Sequence, residues 1–457
     1  MDSDLKKSAL FITSLASFIN PFMGSSTNII LPSIANDLNL NAITLGWVGL
    51  SFLLSSSIFL IPFGKLADIY GRKKLFLYGS FVYGISSLFC SISNNAIYLI
   101  TFRIFQGLGG AMFFGISIAL LSSIYPQDMR GKALGINAGM VYLGLSTGPF
   151  VGGFLAQTFN WRSLFFINFL LTFFLFFITK IKLKGEWAEA KGESYDSFGA
   201  FLLILSFFTM QIGLSFLNKK GYFALILSIL FLFFFILIER KKSFPILNID
   251  LLFKNSLFLF SNLSAFINYS STFAIGFLLS LYLQYVKGFS PLKAGLVLII
   301  QPLLMAFSSP VVGKLSDKKE PRILSSFGML LSFFGMLLVF NLKLFSNIYL
   351  VFLILIFFGF GNGFFASPNT NAIMGSVEKK YYGIATGTLS TMRSLGMVTS
   401  MSIGTLLLGI FLKNEKISKN TFELFLYTIK YYSIIFSALL LAGIFTSLVR
   451  GKLHNKS

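Results

Sequence analysis

Two arginines sit inside long apolar stretches of the chain: Arg103 in LITFRIFQGLGGA (residues 99–111) and Arg393 in TLSTMRSLGMV. A guanidinium among aliphatic side chains is costly to bury. Such a residue either serves an ion or substrate path or ties neighbouring helices together through backbone carbonyls. Gln106 lies three residues after Arg103 and shares its helical face. Arg103 therefore has two readings, influence on a nearby proton site or a structural tie. Arg393 has two as well, guidance of an anionic cargo or a carbonyl-bound tie. All 16 acidic residues fall in loops, at the N-terminus or at the ends of apolar runs, among them Asp37, Glu239 and Glu423. With no carboxylate in the middle of a run, no buried acid is available to hold a cation tightly or exchange it for a proton. A single histidine, His454, and a single cysteine, Cys90, exclude a Cys/His metal cluster, a histidine-dependent triad and an intrachain disulfide. No metal, cofactor or enzymatic activity is expected.

The elements that must position these arginines are apolar runs at roughly 8–35, 43–66, 74–93, 95–124, 131–157, 161–181, 198–217, 221–239, 257–286, 291–315, 322–342, 347–375, 382–411 and 422–449. A bilayer-spanning helix needs about 20 apolar residues. A composition that is 55% hydrophobic and 12% charged, with mean hydropathy +0.80, rules out an ordinary soluble protein. The expectation is an all-α polytopic membrane protein of fourteen transmembrane helices. It would divide into an N-terminal six-helix bundle (1–181), linkers with two extra helices (182–256) and a C-terminal six-helix bundle (257–457). Lys6 and Lys7 start a count in which 25 of the 37 Lys and Arg residues fall on the side of the N-terminus. That bias places both termini in the cytoplasm, with the chain in the cell membrane. It also accounts for the net charge of +21 through contact with anionic membrane lipids, without nucleic acid. The 58 phenylalanines read as lipid-facing filler.

One loop chemistry occurs twice. Residues 64–74 read GKLADIYGRKK and residues 313–319 read GKLSDKK, each between two apolar runs. Such a repeat marks a duplicated membrane domain, an architecture that moves solutes by rocking one half against the other. In the first copy Gly64 permits close packing, and Asp68 can accept hydrogen bonds at a neighbouring helix start. Gly71 makes the turn, while Arg72 and Lys73 can pair with Asp68 or with lipid phosphate. The second copy keeps Gly313 and Asp317 but loses the Gly-Arg portion.

The first loop resembles the G-x-L-A-D-x-x-G-R-K motif of the major facilitator superfamily, and the resemblance extends over nearly the full chain. It implies a major facilitator fold in which this loop latches the cytoplasmic side; the alternative is a set of basic anchors. The segment around Arg103 is similar to the superfamily's R-x-x-Q-G motif. GLSTGPFVGGFLA (residues 144–156) is similar to its antiporter motif, with Gly144, Gly148, Pro149, Gly152 and Gly153 in place. The proline removes one backbone bond and bends the helix. WRSLFFIN (161–168), NIILPSIANDL (28–38) and the extra helix pair resemble the fourteen-helix drug/proton antiporter branch. That branch commonly carries an aspartate nine residues before the helix 1 proline, here Pro32, and this chain has Met23 there. Coupling candidates are therefore Arg103, Gln106 and the peripheral Asp37.

Helical spacing nominates a substrate cavity lined by Asn20, Met23 and Thr27, by Asn262, Phe266, Tyr269 and Phe273, and by Gln301, Asn362 and Arg393. Met and aromatic walls with a few amides suit a polyspecific pocket, although ordinary packing explains each residue alone. The expected activity is alternating-access export of lipophilic or amphipathic small molecules by proton-coupled antiport, as in multidrug efflux. The alternative is uncoupled or differently coupled transport of an anionic metabolite or lipid-like cargo. The chain is expected to act as a monomer.

Overall fold

A computed structural model of the chain describes residues 3–217, 220–247, 249, 255–378, 382–413, 415–451 and 453; His454 lies outside them. Fourteen long helices make up the described residues. They are α1 (Ser3–Asp37), α2 (Ala42–Tyr70), α3 (Arg72–Ser91), α4 (Ala96–Ile124), α5 (Gln127–Thr158), α6 (Arg162–Lys182), α7 (Ser197–Ser215) and α8 (Tyr222–Glu239). They continue with α9 (Ser256–Val286), α10 (Pro291–Ser316), α11 (Pro321–Phe340), α12 (Ile348–Gly375), α13 (Tyr382–Phe411) and α14 (Phe422–Val449). The starts follow from the sequence. Asn41, Asn95, Asn255 and Asn347 each accept a hydrogen bond from a first-turn amide, and Ser290 does so just before Pro291.

Twelve of the fourteen are long and apolar enough to cross a membrane. The exceptions are α1, diluted by Lys6, Lys7, Asn20, Asn28 and Asn36, and α3, which opens on Arg72, Lys73 and Lys74 and carries several serines. The fourteen expected spans are thus fourteen helices, of which twelve carry the apolar signature themselves.

The duplication visible in the loops recurs in the packing. Helix α1 packs on α5, α2 on α4, and α3 on both α4 and α6; eight helices later α9 packs on α13, α10 on α12, and α11 on both α12 and α14. The two sets meet along two seams, α2 against α13 and α5 against α10. Helices α7 and α8 form a hairpin whose α7 lies against both α2 and α13.

Glycines report where the seams are tight. A Cβ on Gly46 of α2 would meet Thr405 of α13, and one on Gly49 would meet Met401. A Cβ on Gly153 of α5 would lie 2.5 Å from the Pro291 carbonyl oxygen of α10. Eighteen residues are five helical turns, so Gly64, Gly387 and Gly135 lie on the same faces as Gly46, Thr405 and Gly153. A Cβ on any of the three would meet nothing within 4 Å. Both seams therefore close at one end and splay at the other. The splayed end carries the GKLADIYGRKK loop, and there Tyr125 donates to the Lys6 carbonyl (2.9 Å) and the Leu453 amide donates to Glu320 (3.1 Å). Both ends of the described chain thus lie at this basic end.

Candidate functional site

The α2–α3 loop is organised around a buried guanidinium. Arg72 is 6% exposed. It donates to Asp68 (2.8 Å through Nε, 2.7 Å through Nη2), to the Ala119 carbonyl of α4 (3.2 Å), to Ser123 and to Glu189 (2.6 Å). The chain can turn there because Gly71 adopts φ +119°, a conformation open to glycine. The first-turn amides of α3 are capped by Glu186, which accepts from the Lys73 and Lys74 amides at 2.8 and 3.1 Å. Of the two roles expected of Asp68, its carboxylate takes the pairing with Arg72, and Glu186 takes the helix-start amides. Lys65 pairs with Glu193 at 2.5 Å. Three glutamates of one linker, spaced 186, 189 and 193, hold the loop, and sequence reasoning assigned them no role. The available signal was their helical spacing in an otherwise basic segment. In the second copy Asp317 accepts from Asn371 (3.3 Å), and a Cβ on Gly313 would lie 2.5 Å from Ser367.

Arg103 is 1% exposed. It donates to the Val48 carbonyl of α2 (3.2 Å) and to Gln106 (2.6 Å), with its guanidinium 4.4 Å from the Phe52 ring centre. Gln106 passes a bond to Ser87 of α3 (2.7 Å), which also accepts from Asn168 of α6 (3.0 Å). Four helices are joined through one uncarboxylated network, the geometry of a tie. Asp37, the peripheral coupling candidate, accepts from Arg162 (2.7 Å) and from the Trp161 indole (3.1 Å). The Arg162 hydrogen bond, seconded by Trp161, holds its carboxyl below the usual carboxylate range. Asp37 thus stays ionised at neutral pH and is poorly suited to carrying a proton.

The glycines of α5 let α1 approach to backbone contact. A Cβ on Gly144 would lie 2.5 Å from the Phe18 carbonyl oxygen, one on Gly148 would strike Ser25, and one on Gly152 would sit 3.0 Å from Ser26. Ser26 donates to the Gly148 carbonyl (2.9 Å). Gly153 and Pro149 belong to the other seam, against Pro291 and Gly295 of α10. Overfilling such a contact costs about 1–3 kcal/mol or more. Gly148→Leu is accordingly expected to lower the yield of folded protein several-fold, measured as the monodisperse fraction after detergent extraction. Wild-type yield would contradict the contact.

Between the halves the structure brings several nominated residues together. Arg393 of α13 is half-buried; it donates to Thr370 of α12 (2.7 Å) and lies 5.6 Å from the Tyr269 ring centre. Its Nε is buried without a hydrogen-bond partner. Among the described residues it has no carboxylate at salt-bridge distance. Tyr142 of α5 reaches across the seam to Ser309 of α10 (2.9 Å), with Tyr269 and Arg393 as electrostatic neighbours. Asn20, Phe266, Phe273 and Gln301 are also half-buried. Four nominated cavity residues lie inside the packing instead. Met23 is buried, Thr27 bonds the Met23 carbonyl (2.7 Å), Asn262 bonds the Phe258 carbonyl (2.9 Å), and Asn362 accepts from Asn268 (2.9 Å). For Met23 and Thr27 the reason is that α1 is enclosed by α2, α4, α5 and α6, so one face of it cannot be cavity throughout. Tyr142 and Thr370 were not singled out from sequence, since a tyrosine or threonine in an apolar run is ordinary packing material.

Two duplicated helical sets joined along two seams, with a half-buried arginine between them, have the arrangement of a transporter, and comparison with known proteins gives it a family. The chain belongs to the Major Facilitator Superfamily, whose profile matches residues 13–401 and 261–456. It is 34% identical over 422 residues to the riboflavin transporter RibZ of Clostridioides difficile, covering 90% of each chain. It is 30% identical over 377 residues to multidrug resistance protein 3 of Bacillus subtilis, covering 80% of this chain and 72% of that one. Among solved structures, a bacterial homolog of the human lysosomal transporter Spinster, inward-facing and unoccupied, aligns with TM-score 0.70 at 14% identity over 98% of each chain. The protein is a multi-pass membrane transporter of small molecules and not an enzyme.

Proposed function

We propose that this transporter carries planar, aromatic or amphipathic molecules bearing an anionic or strongly hydrogen-bond-accepting group. They would cross by alternating access between the units 1–181 and 257–457, joined by 182–256. Arg393 carries the reading: a guanidinium bonded to a single hydroxyl, beside a tyrosine ring, at the meeting of the two halves. Such a group accepts oxyanions, imides or carbonyls through charge-assisted hydrogen bonds while the ring stacks on the cargo. The relative named for riboflavin transport belongs to the same chemical class of cargo. All fourteen helices cross the cell membrane with the basic end cytoplasmic, so the splayed seams open inward. The Arg72 loop acts as a cytoplasmic gate, and the protein works as a monomer.

Proton-coupled efflux is the second reading. It is favoured by the tight glycine face of α5 against α1 and by relatives named for multidrug resistance. Arg103 ties helices and Asp37 stays ionised, so the reading lacks a proton-carrying group at either position. One experiment separates the two: cargo-triggered proton flux in proteoliposomes, run over a panel of neutral, cationic and acceptor-bearing aromatic compounds. Uptake of the acceptor-bearing set that persists under an uncoupler, and is unchanged in Asp37→Asn, is the expected result. Movement confined to cations and abolished by the uncoupler would overturn the first reading.

A further inference from the structure

The linker after α6 does more than connect. Beyond the three glutamates, it is stitched to the gate loop by backbone bonds: the Arg72 amide donates to the Trp187 carbonyl (2.8 Å) and the Ala190 amide donates to the Asp68 carbonyl (2.9 Å). Leu183 and Trp187 pack into the apolar core of the first helical set. At its far end Asp196 caps α7 through the Gly199 amide (3.1 Å). Helix α7 is in turn pinned to α13. Gln211, 1% exposed, donates to Thr399 (3.2 Å) and accepts from Ser402 (3.0 Å).

The two faces of α7 differ in kind. Towards α2 it offers apolar contacts, with Ile61 packed on the cluster that holds Leu202 and Leu203 and with Phe216 stacked on Trp47 at 5.7 Å, together with the long Tyr195–Pro62 bond of 3.5 Å. Apolar surfaces slide at small cost. A buried amide with both its groups bonded does not detach without leaving them unsatisfied. In a swing of α13 against α2, α7 would stay with α13 and slip on α2. From Glu193, fixed to Lys65, to Ser197 at the start of α7 the chain has four residues, a reach of at most about 14 Å.

We propose that residues 183–196 and α7 form a tether that couples the position of α13 to the α2–α3 gate loop, with Glu186, Glu189, Glu193 and Gln211 as positioning residues for the transport cycle. The inference rests on alternating access but on no particular cargo. Its bonds belong to the state splayed at the basic end, so cutting the tether at either anchor disfavours that state. Cutting it twice adds nothing to cutting it once.

The test is a double-mutant cycle read without cargo. Spin labels on Gly135→Cys and Gly387→Cys, in a Cys90→Ser background, span the splayed end at two positions where a side chain meets nothing. Their distance distribution gives the splayed-to-closed ratio. Glu189→Gln and Gln211→Leu are each expected to lower that ratio at least threefold, and the double variant to match the larger single effect. Inserting Gly-Ser-Gly-Ser between Ser194 and Tyr195 keeps every anchor and adds only slack; it should lower the ratio equally. Thr399→Val replaces Gln211→Leu should the latter fail to assemble. Unchanged ratios, effects that multiply, or an inert insertion would each overturn the tether. Failure of the cargo panel would leave this readout untouched.

Discussion

Replacing Arg393 by alanine should raise the half-saturating concentration of an acceptor-bearing aromatic cargo by about ten- to a hundred-fold. A hydrogen bond to a charged group contributes about 1.5–3 kcal/mol, and each 1.4 kcal/mol is tenfold in affinity. The guanidinium already has Thr370 at 2.7 Å through Nη2, so the cargo would use the remaining guanidinium donors. Lysine keeps the charge but neither the planar fork nor the stacking, and should recover only part of the affinity. Neutral lipophilic compounds lacking an acceptor should be affected less than threefold. The measurement is initial uptake rate against concentration in proteoliposomes for the two cargo types. An equal loss for both would show Arg393 to be a helix tie, and the assignment of cargo chemistry would fall with it.

The second large effect is on stability. Arg103→Leu removes the donor that joins Val48, Gln106 and, through Gln106, the Ser87–Asn168 pair. Each buried acceptor left without a partner costs about 1–3 kcal/mol, and the stacking on Phe52 is lost as well. The thermal midpoint in detergent is expected to fall by several degrees, while the molecules that remain folded transport with unaltered response to a pH gradient. Arg103→Lys should rescue little, because an ammonium cannot reach both oxygens with the geometry of the fork. A normal midpoint together with lost gradient dependence would return Arg103 to the proton path.

Much of the frame was legible because it depends on properties that act locally. Apolar run length fixes helices, asparagine before a run fixes a start, and the paired GKLADIYGRKK and GKLSDKK loops disclosed the duplication that the packing repeats eight helices apart. Gly71 and the Asp68–Arg72 pair were readable for the same reason, being four residues or fewer apart. What was not legible depends on which neighbour a face meets. Periodicity put Met23 and Thr27 on one face with Asn20, yet only Asn20 is half-buried rather than buried. The Arg103 reading, tie or proton site, turned on whether a carboxylate approached from another helix. Arg450 shows the same limit. It sits just past α14 in a short basic tail, yet is 1% exposed and bonded to Asn369 (2.6 Å) and Ser325 (3.1 Å).

The weak apolarity of α1 and α3 bears on how the chain reaches the bilayer during synthesis. A segment partitions from the insertion machinery into lipid according to its own hydrophobicity, and these two are the poorest candidates of the fourteen. Helix α3 emerges beside α2 and soon meets α4. The principal partner of α1, by contrast, is α5, which has not yet been synthesised when α1 leaves the ribosome. Helix α1 is therefore secured only once α5 has followed it. A nascent chain halted before residue 127 would hold α1 without the glycine face that receives it, exposed to extraction or quality control at the start of its own assembly.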